Sequence, residues 1–301
     1  MLLEKIQLWD DNENVNLYSY IHENSHEFQT NKVRPAIIIC PGGGYFGTSD
    51  REAEPVALRF SALGFQAFVL RYTTYFNEPV KDFNNLPNPN EKWNIQQPLF
   101  DLSKAILTIR ENANKWFIDS SQIALCGFSA GAHLAARLGV HWKDSFIHGK
   151  FNVECEMFKP NAMILGYPLV DYEIMKRNLD IETSEFVKGF WSGHNVSVFG
   201  SPNPSEEQLI KYSPVNFVSP QTPPTFIWHT ADDNLVYTEN SLRFATDLAK
   251  QHVPYELHVF ENGVHGLSLC DESTAGEPNH INHDCAVWFS LASNWLKKRF
   301  N

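Results

Sequence analysis

The chain has 301 residues, 43% of them hydrophobic and 13% aromatic, enough to bury a large core and too apolar for a disordered chain. Its 24 Lys and Arg against 35 Asp and Glu leave a formal charge of -11, without the clustered positive charge that a phosphate backbone demands, so no nucleic-acid partner is expected. Met1 to Asp10 lacks the basic start and apolar stretch of a secretory signal, and the longest apolar run, Ala36 to Cys40, is too short for a bilayer, so the expected setting is cytoplasmic, away from membranes. Five cysteines without a CxxC pair fit reduced thiols.

In chain order, Ile6 to Leu8 and Leu17 to Ile21 read as a leading antiparallel pair of strands. The compact apolar runs Ala36 to Cys40, Gln66 to Arg71, Gln122 to Cys126, Ala162 to Leu165, Thr225 to His229 and Glu256 to Phe260 read as strands covered on both faces. Helical patterns alternate with them: Arg51 to Leu63, Pro98 to Asn112, Ala130 to Val140, Tyr237 to Gln251 and Asp284 to Arg299. Ser49 and Glu52 stand at capping-box spacing before the first helix. The last carries Val287, Leu291, Trp295 and Leu296 as the face expected to dock on the sheet. Two stretches interrupt the alternation. Asn77 to Gln97, rich in Asn and Pro, reads as a surface loop, and Val170 to Pro224 as an irregular cap over the top of the sheet.

This pattern predicts an α/β fold, a mostly parallel central sheet flanked by helices, as one domain over 1–301 with a cap insertion at 170–224.

The sharpest chemical signal is Gly127-Phe128-Ser129-Ala130-Gly131, a G-x-S-x-G between an apolar strand and a helix. A serine on so tight a turn projects its hydroxyl above the sheet, beside a helix N-terminus that offers amides to developing negative charge. Upstream, Cys40-Pro41-Gly42-Gly43-Gly44-Tyr45 follows a strand, where a Gly-rich loop can turn its amides toward that serine. The amides of Gly43, Gly44 and Ala130 are the candidate oxyanion donors, and Tyr45 is a candidate to line the substrate pocket. No Walker pattern of glycine followed by Lys and Ser or Thr is present, which argues against a nucleotide site.

A serine hydroxyl needs a base and a carboxylate to orient it. His265 lies in Gly263-Val264-His265-Gly266 after the strand ending at Phe260, and Asp233 lies in His229-Thr230-Ala231-Asp232-Asp233 after the strand ending at His229. Both stand where the carboxyl edge of a parallel sheet would be. Asp233 is preferred to Asp232, which reads as a turn residue. His133 is read as structural. His280, His283, Asp284 and Cys285 read as residues that cap and solvate the final helix, with no metal role.

With these residues in place, the chain resembles the α/β-hydrolase superfamily, and within it the acetyl-xylan-esterase-like or feruloyl-esterase-like branch. The resemblance runs from about Ala36 to Phe300 and rests on Pro41-Gly42-Gly43-Gly44-Tyr45, Arg51-Glu52, Gly127-x-Ser129-Ala130-Gly131-x-His133-Leu134, His229-Thr230-Ala231-Asp232-Asp233 and Val264-His265-Gly266. It implies an α/β-hydrolase fold in which Ser129 is acylated, His265 is the base and Asp233 orients it. The implied substrate is a small ester, short-chain and acetyl, on a sugar, and no cofactor is needed. Relatives of the prolyl oligopeptidases and non-catalytic binding proteins of the same fold are the alternatives, and the sheet edge allows a homodimer.

Overall fold

The computed structural model describes residues 1–27, 33–78, 80 and 86–300. Its centre is an eight-stranded sheet: β1 (Leu2–Trp9), β2 (Asn12–Ile21), β3 (Arg34–Cys40), β4 (Gln66–Arg71), β5 (Ile118–Phe128), β6 (Ala162–Gly166), β7 (Thr225–Thr230) and β8 (Tyr255–Phe260). Their spatial order is β1-β2-β4-β3-β5-β6-β7-β8. The β1–β2 and β2–β4 pairings are antiparallel, and every pairing from β4 across to β8 is parallel.

The parallel strands are apolar without a break because both faces are covered. Along β3 the side chains alternate: Ala36, Ile38 and Cys40 join one core, Ile37 and Ile39 the other. The first core is closed by α2 (Gln97–Glu111), α3 (Ala130–His141) and α8 (Glu239–Lys250), the second by α1 (Glu54–Ala62) and α10 (Trp288–Phe300). Truncating one of these buried isoleucines to alanine removes roughly 2–5 kcal/mol.

Three sequence expectations are corrected. The first helix begins at Glu54, not Arg51: Pro55 fits only the first turn, and Ala53 caps without a side-chain bond, so Ser49 and Glu52 form no capping box. The final helix is two, α9 (His283–Ala286) and α10, and the break at Val287 changes the buried face. Trp288, Ala292, Trp295 and Leu296, at i, i+4, i+7 and i+8, dock on the sheet, while Val287 is 48% exposed. The insertion between β6 and β7 is helical rather than irregular, with α5 (Tyr172–Leu179), α6 (Glu185–Phe199) and α7 (Glu206–Tyr212). Asp171 accepts the first amides of α5, Ser184 caps α6, and Ser205 with Gln208 makes a capping box on α7. A short helix α4 (Ser145–Phe151) precedes β6. Of the loop expected at Asn77 to Gln97, residues 79 and 81–85 lie outside the described residues.

Candidate active site

Ser129 sits at the junction of β5 and α3 with φ 50° and ψ -119°, a left-handed conformation that a serine adopts only under strain of about 1–3 kcal/mol. The turn is held by the Ser129 amide, which donates to the Gly166 carbonyl at 3.0 Å, and by close approach at Gly131, where any Cβ would run into the carbonyl oxygen of Cys40. Strand, turn and helix thus leave the hydroxyl at the carboxyl edge of the central strand.

Two neighbouring strand ends supply the partners. The loop after β8 carries His265, whose Nε2 lies 2.9 Å from Ser129 Oγ. The loop after β7 carries Asp233, whose Oδ2 lies 2.7 Å from His265 Nδ1. Because the carboxylate only accepts, Nδ1 carries the proton, and Nε2 is free to accept the serine hydroxyl. Asp233 Oδ1 accepts the amides of Leu235 and Val236 at 2.9 and 3.0 Å. Behind it, His229 Nε2 donates to Asp233 Oδ2 and to the Val236 carbonyl, while its Nδ1 shares a hydrogen bond with the Ser241 hydroxyl, so His229 props the acid from behind. The neighbouring Asp232 is used differently, accepting the Gly263 amide at 2.6 Å and so pinning the start of the histidine loop.

Burial alone would raise the Asp233 carboxyl, but the charge of His265 and the hydrogen bonds from His229 and His265 hold it far below the usual carboxylate range. Burial alone would lower His265, yet the Asp233 charge and hydrogen bond, aided by Glu52, lift it above the ordinary imidazole value.

The Gly-rich loop folds back beside the serine. Gly43, at φ 128°, closes the turn by accepting the Phe46 amide at its carbonyl, and a Cβ there would collide with the carbonyl of Gly47. Among the described residues the amides of Gly43, Gly44 and Ala130 have no protein acceptor, as donors held for a substrate oxygen would. Tyr45, expected to line the pocket, is instead fully buried: its hydroxyl donates to His133 Nδ1 at 2.7 Å and its ring packs on Tyr72 and Trp93. His133 Nε2 in turn donates to the Tyr212 carbonyl. A half-buried aromatic beside the loop is Phe46, edge-on to Phe190 of α6.

Sequence reasoning missed what the cap segment does here. His194 of α6 donates from Nδ1 to the Gly44 carbonyl, and Trp191 donates to the Leu235 carbonyl beside Asp233, so one helix touches both the Gly-rich loop and the acid loop. It also missed Glu52 and Tyr167, which lie buried beneath the site. Near the chain end, His280 Nδ1 accepts the amides of Gly276 and Glu277, and Cys285 is buried with its thiol toward the Asn262 carbonyl. Among the described residues no group of three His, Cys, Asp or Glu side chains is placed to hold a metal ion.

A protein-family model described as BD-FAE matches residues 25–248, three-quarters of the chain. The chain belongs to the BD-FAE family. That match takes in Ser129 and Asp233 and stops short of His265, whose place rests on the geometry above. Among relatives of this BD-FAE chain, an endo-1,4-beta-xylanase B of Butyrivibrio fibrisolvens is 33% identical over 257 residues, 85% of this chain. The chain spans only 35% of that relative's length. Solved structures match from end to end. An acetyl ester-xyloside bifunctional hydrolase of Caldicellulosiruptor lactoaceticus is 32% identical with a TM-score of 0.74, covering 98% of this chain and 96% of that one. A carboxylesterase of Lactobacillus plantarum WCFS1 is 26% identical with a TM-score of 0.77, covering 99% and 98%. The fold is that of the α/β-hydrolases.

Proposed function

We propose that this chain is a serine carboxylesterase that removes short acyl groups, acetyl first among them, from small alcohols of the sugar class. The observation that carries the reading is the continuous hydrogen-bonded line from Ser129 Oγ through His265 to Asp233, at 2.9 and 2.7 Å, beside three amides without acceptors among the described residues.

In this reading His265 takes the Ser129 proton as the hydroxyl attacks the ester carbonyl. The amides of Gly43, Gly44 and Ala130 receive the charge that moves to the carbonyl oxygen, a contribution of about 3 kcal/mol for each donor in such sites. Asp233 stabilises the imidazolium without becoming protonated, as its depressed pKa requires. His265 then gives the proton to the leaving alcohol, and a water activated by the same nitrogen releases the acid. This chemistry asks for no cofactor.

The finer claims have separate support. Phe190 packs against the outer side of Gly44. A cleft of about 660 Å³ opens beside Gly43, lined by Phe46, Phe76 and Phe190 together with polar groups such as Asn14, Thr48 and Arg71. Aromatic faces interleaved with hydrogen-bonding side chains suit a polyhydroxylated alcohol. The acetyl ester-xyloside hydrolase among the solved structures is consistent with that choice.

The test is intact-protein mass spectrometry after a fluorophosphonate, with Ser129→Ala and His265→Ala alongside, followed by rates on p-nitrophenyl esters of rising chain length and on acetylated sugars. One adduct on the parent, absent from both variants, with rates that fall beyond a few carbons, is the expected result. An unlabelled parent would sink the reading.

A further inference from the structure

Resting on that reading, we propose that Glu52 is a positioning residue for acyl transfer, its one buried carboxylate clamping the Gly-rich loop and the histidine loop to each other beneath Ser129. Glu52 is 4% exposed. Its Oε2 accepts the Gly42 amide at 2.6 Å, at the root of the loop whose next two amides are the proposed oxyanion donors. Its Oε1 accepts the Tyr167 hydroxyl, also at 2.6 Å. The Tyr167 oxygen accepts the Ser268 amide at 3.0 Å, three residues beyond His265, and the Tyr167 ring stands edge-on to the imidazole at 5.0 Å between centroids. Arg51 secures the same loop from its own side, donating to the Gly266 carbonyl at 2.9 Å, while its own carbonyl accepts from Ser268 Oγ. The carboxylate also lies close under the nucleophile: a Cβ built on Gly42 would stand 2.8 Å from Glu52 Oε2 and 3.0 Å from Ser129 Cβ.

A carboxylate is a costly group to bury, so an arrangement that only had to fill this space would do better with an amide or an apolar side chain. What the carboxylate alone offers is two acceptors on one rigid fork, and both of its partners are donors. An amide has one acceptor and presents N–H to the other donor. A clamp of this kind sets the distance between the oxyanion amides and the imidazole, on which the rate depends steeply. Burial pushes the Glu52 carboxyl above the usual carboxylate range, opposed by the hydrogen bonds from Tyr167 and Gly42 and by the charge of His265, which the ionised carboxylate faces. The titratable and charged groups packed around the pair are Asp233 on the acid loop, Arg51 beside Glu52, Tyr72 after β4, Cys126 on β5 and Tyr167 after β6.

The experiment compares Glu52→Gln, Glu52→Asp and Tyr167→Phe with the parent on p-nitrophenyl acetate, with pH profiles and thermal unfolding. Glu52→Gln is expected to lower kcat by about tenfold or more with KM within roughly threefold. Its acid limb in kcat/KM should move to lower pH, because the neutral amide no longer supports the imidazolium. Glu52→Asp keeps the charge and loses the reach, so it should restore the acid limb without restoring kcat. Tyr167→Phe, which leaves the ring in place, should lower kcat by about fivefold and stands in for Glu52→Gln if that variant does not fold. A folded Glu52→Gln protein with parental kcat and an unmoved acid limb, or parental kcat in Tyr167→Phe, would overturn the inference while leaving the esterase reading intact. A parent that takes up no fluorophosphonate would overturn both.

Discussion

His194 Nδ1 lies 3.1 Å from the carbonyl oxygen of Gly44, so a helix of the inserted segment holds the backbone of the loop that faces Ser129. Its other nitrogen accepts from Tyr172, which makes the ring neutral and its orientation fixed. Replacing it by Phe keeps the ring stack and deletes the donor. His194→Phe is expected to slow fluorophosphonate labelling and lower kcat by about tenfold, the equivalent of about 1.4 kcal/mol in the transition state. Labelling at the parental rate would show that the Gly44 carbonyl does not need this partner.

Burial also holds His194 down to about 4, against an ordinary 6.5. Between those values the unfolded chain binds a proton that the folded chain refuses, so stability is complete above pH 6.5 and falls as pH drops toward 4, by about 3 kcal/mol in all. Burial pushes His133 in the same direction. Thermal melts at pH 7 and pH 4.5 should show a large drop in the parent and a smaller one in His194→Phe; equal drops would contradict this.

The histidine at the site behaves in the opposite sense. Burial would lower His265, but Asp233 outweighs it and raises the imidazole above 6.5. Since the base must be unprotonated, kcat/KM is lost as pH falls through that raised value, and its acid midpoint should lie above pH 6.5. A midpoint well below it would mean that the Asp233 contact is not made in solution.

Two adjacent aspartates can be told apart by rate. Asp233→Asn leaves His265 Nδ1 facing an amide and is expected to cost about 10⁴-fold in kcat, through the wrong tautomer. Asp232→Asn loses only part of the pin on the Gly263 amide and should cost less than about tenfold. Equal losses would erase the distinction between the two.

At φ 50°, Ser129 inverts an ordinary ranking of substitutions. Glycine is normally the less stabilising residue, but here alanine inherits the strain and glycine escapes it. Ser129→Gly should unfold at a higher temperature than Ser129→Ala, by about 1 kcal/mol of stability, with both inactive; calorimetry decides it.

The residues of the site that sequence reasoning found share one property: each stands within a few positions of a strand end. The apolar runs read as ending at Cys126, His229 and Phe260 mark the carboxyl edge, so Ser129, Asp233 and His265 could be picked by type and place. Glu52 could not, because its distance from Ser49 imitates a capping box, and only the tertiary approach of Gly42 and Tyr167 gives it another use. Tyr45 misled for the related reason that a residue beside an active loop can point inward. The helices of the insertion went unread: Ser205 with Gln208 is a helix start that sequence reasoning passed over, and the glycines and aromatics of α6 mask its period.

The order of the strands bears on how this protein ages under heat. His265 hangs from β8, the outermost strand, three strand spacings or about 14 Å from the β5 end that carries Ser129. Its loop must lean back across two strands, tied down by Asp232, Thr230, Arg51 and Tyr167. Edge elements open locally before a core does. Fraying of β8 and its loop would therefore withdraw the base while the sheet between β3 and β7 still stands, and hydrolysis would fail several degrees before the circular dichroism of the fold begins to change.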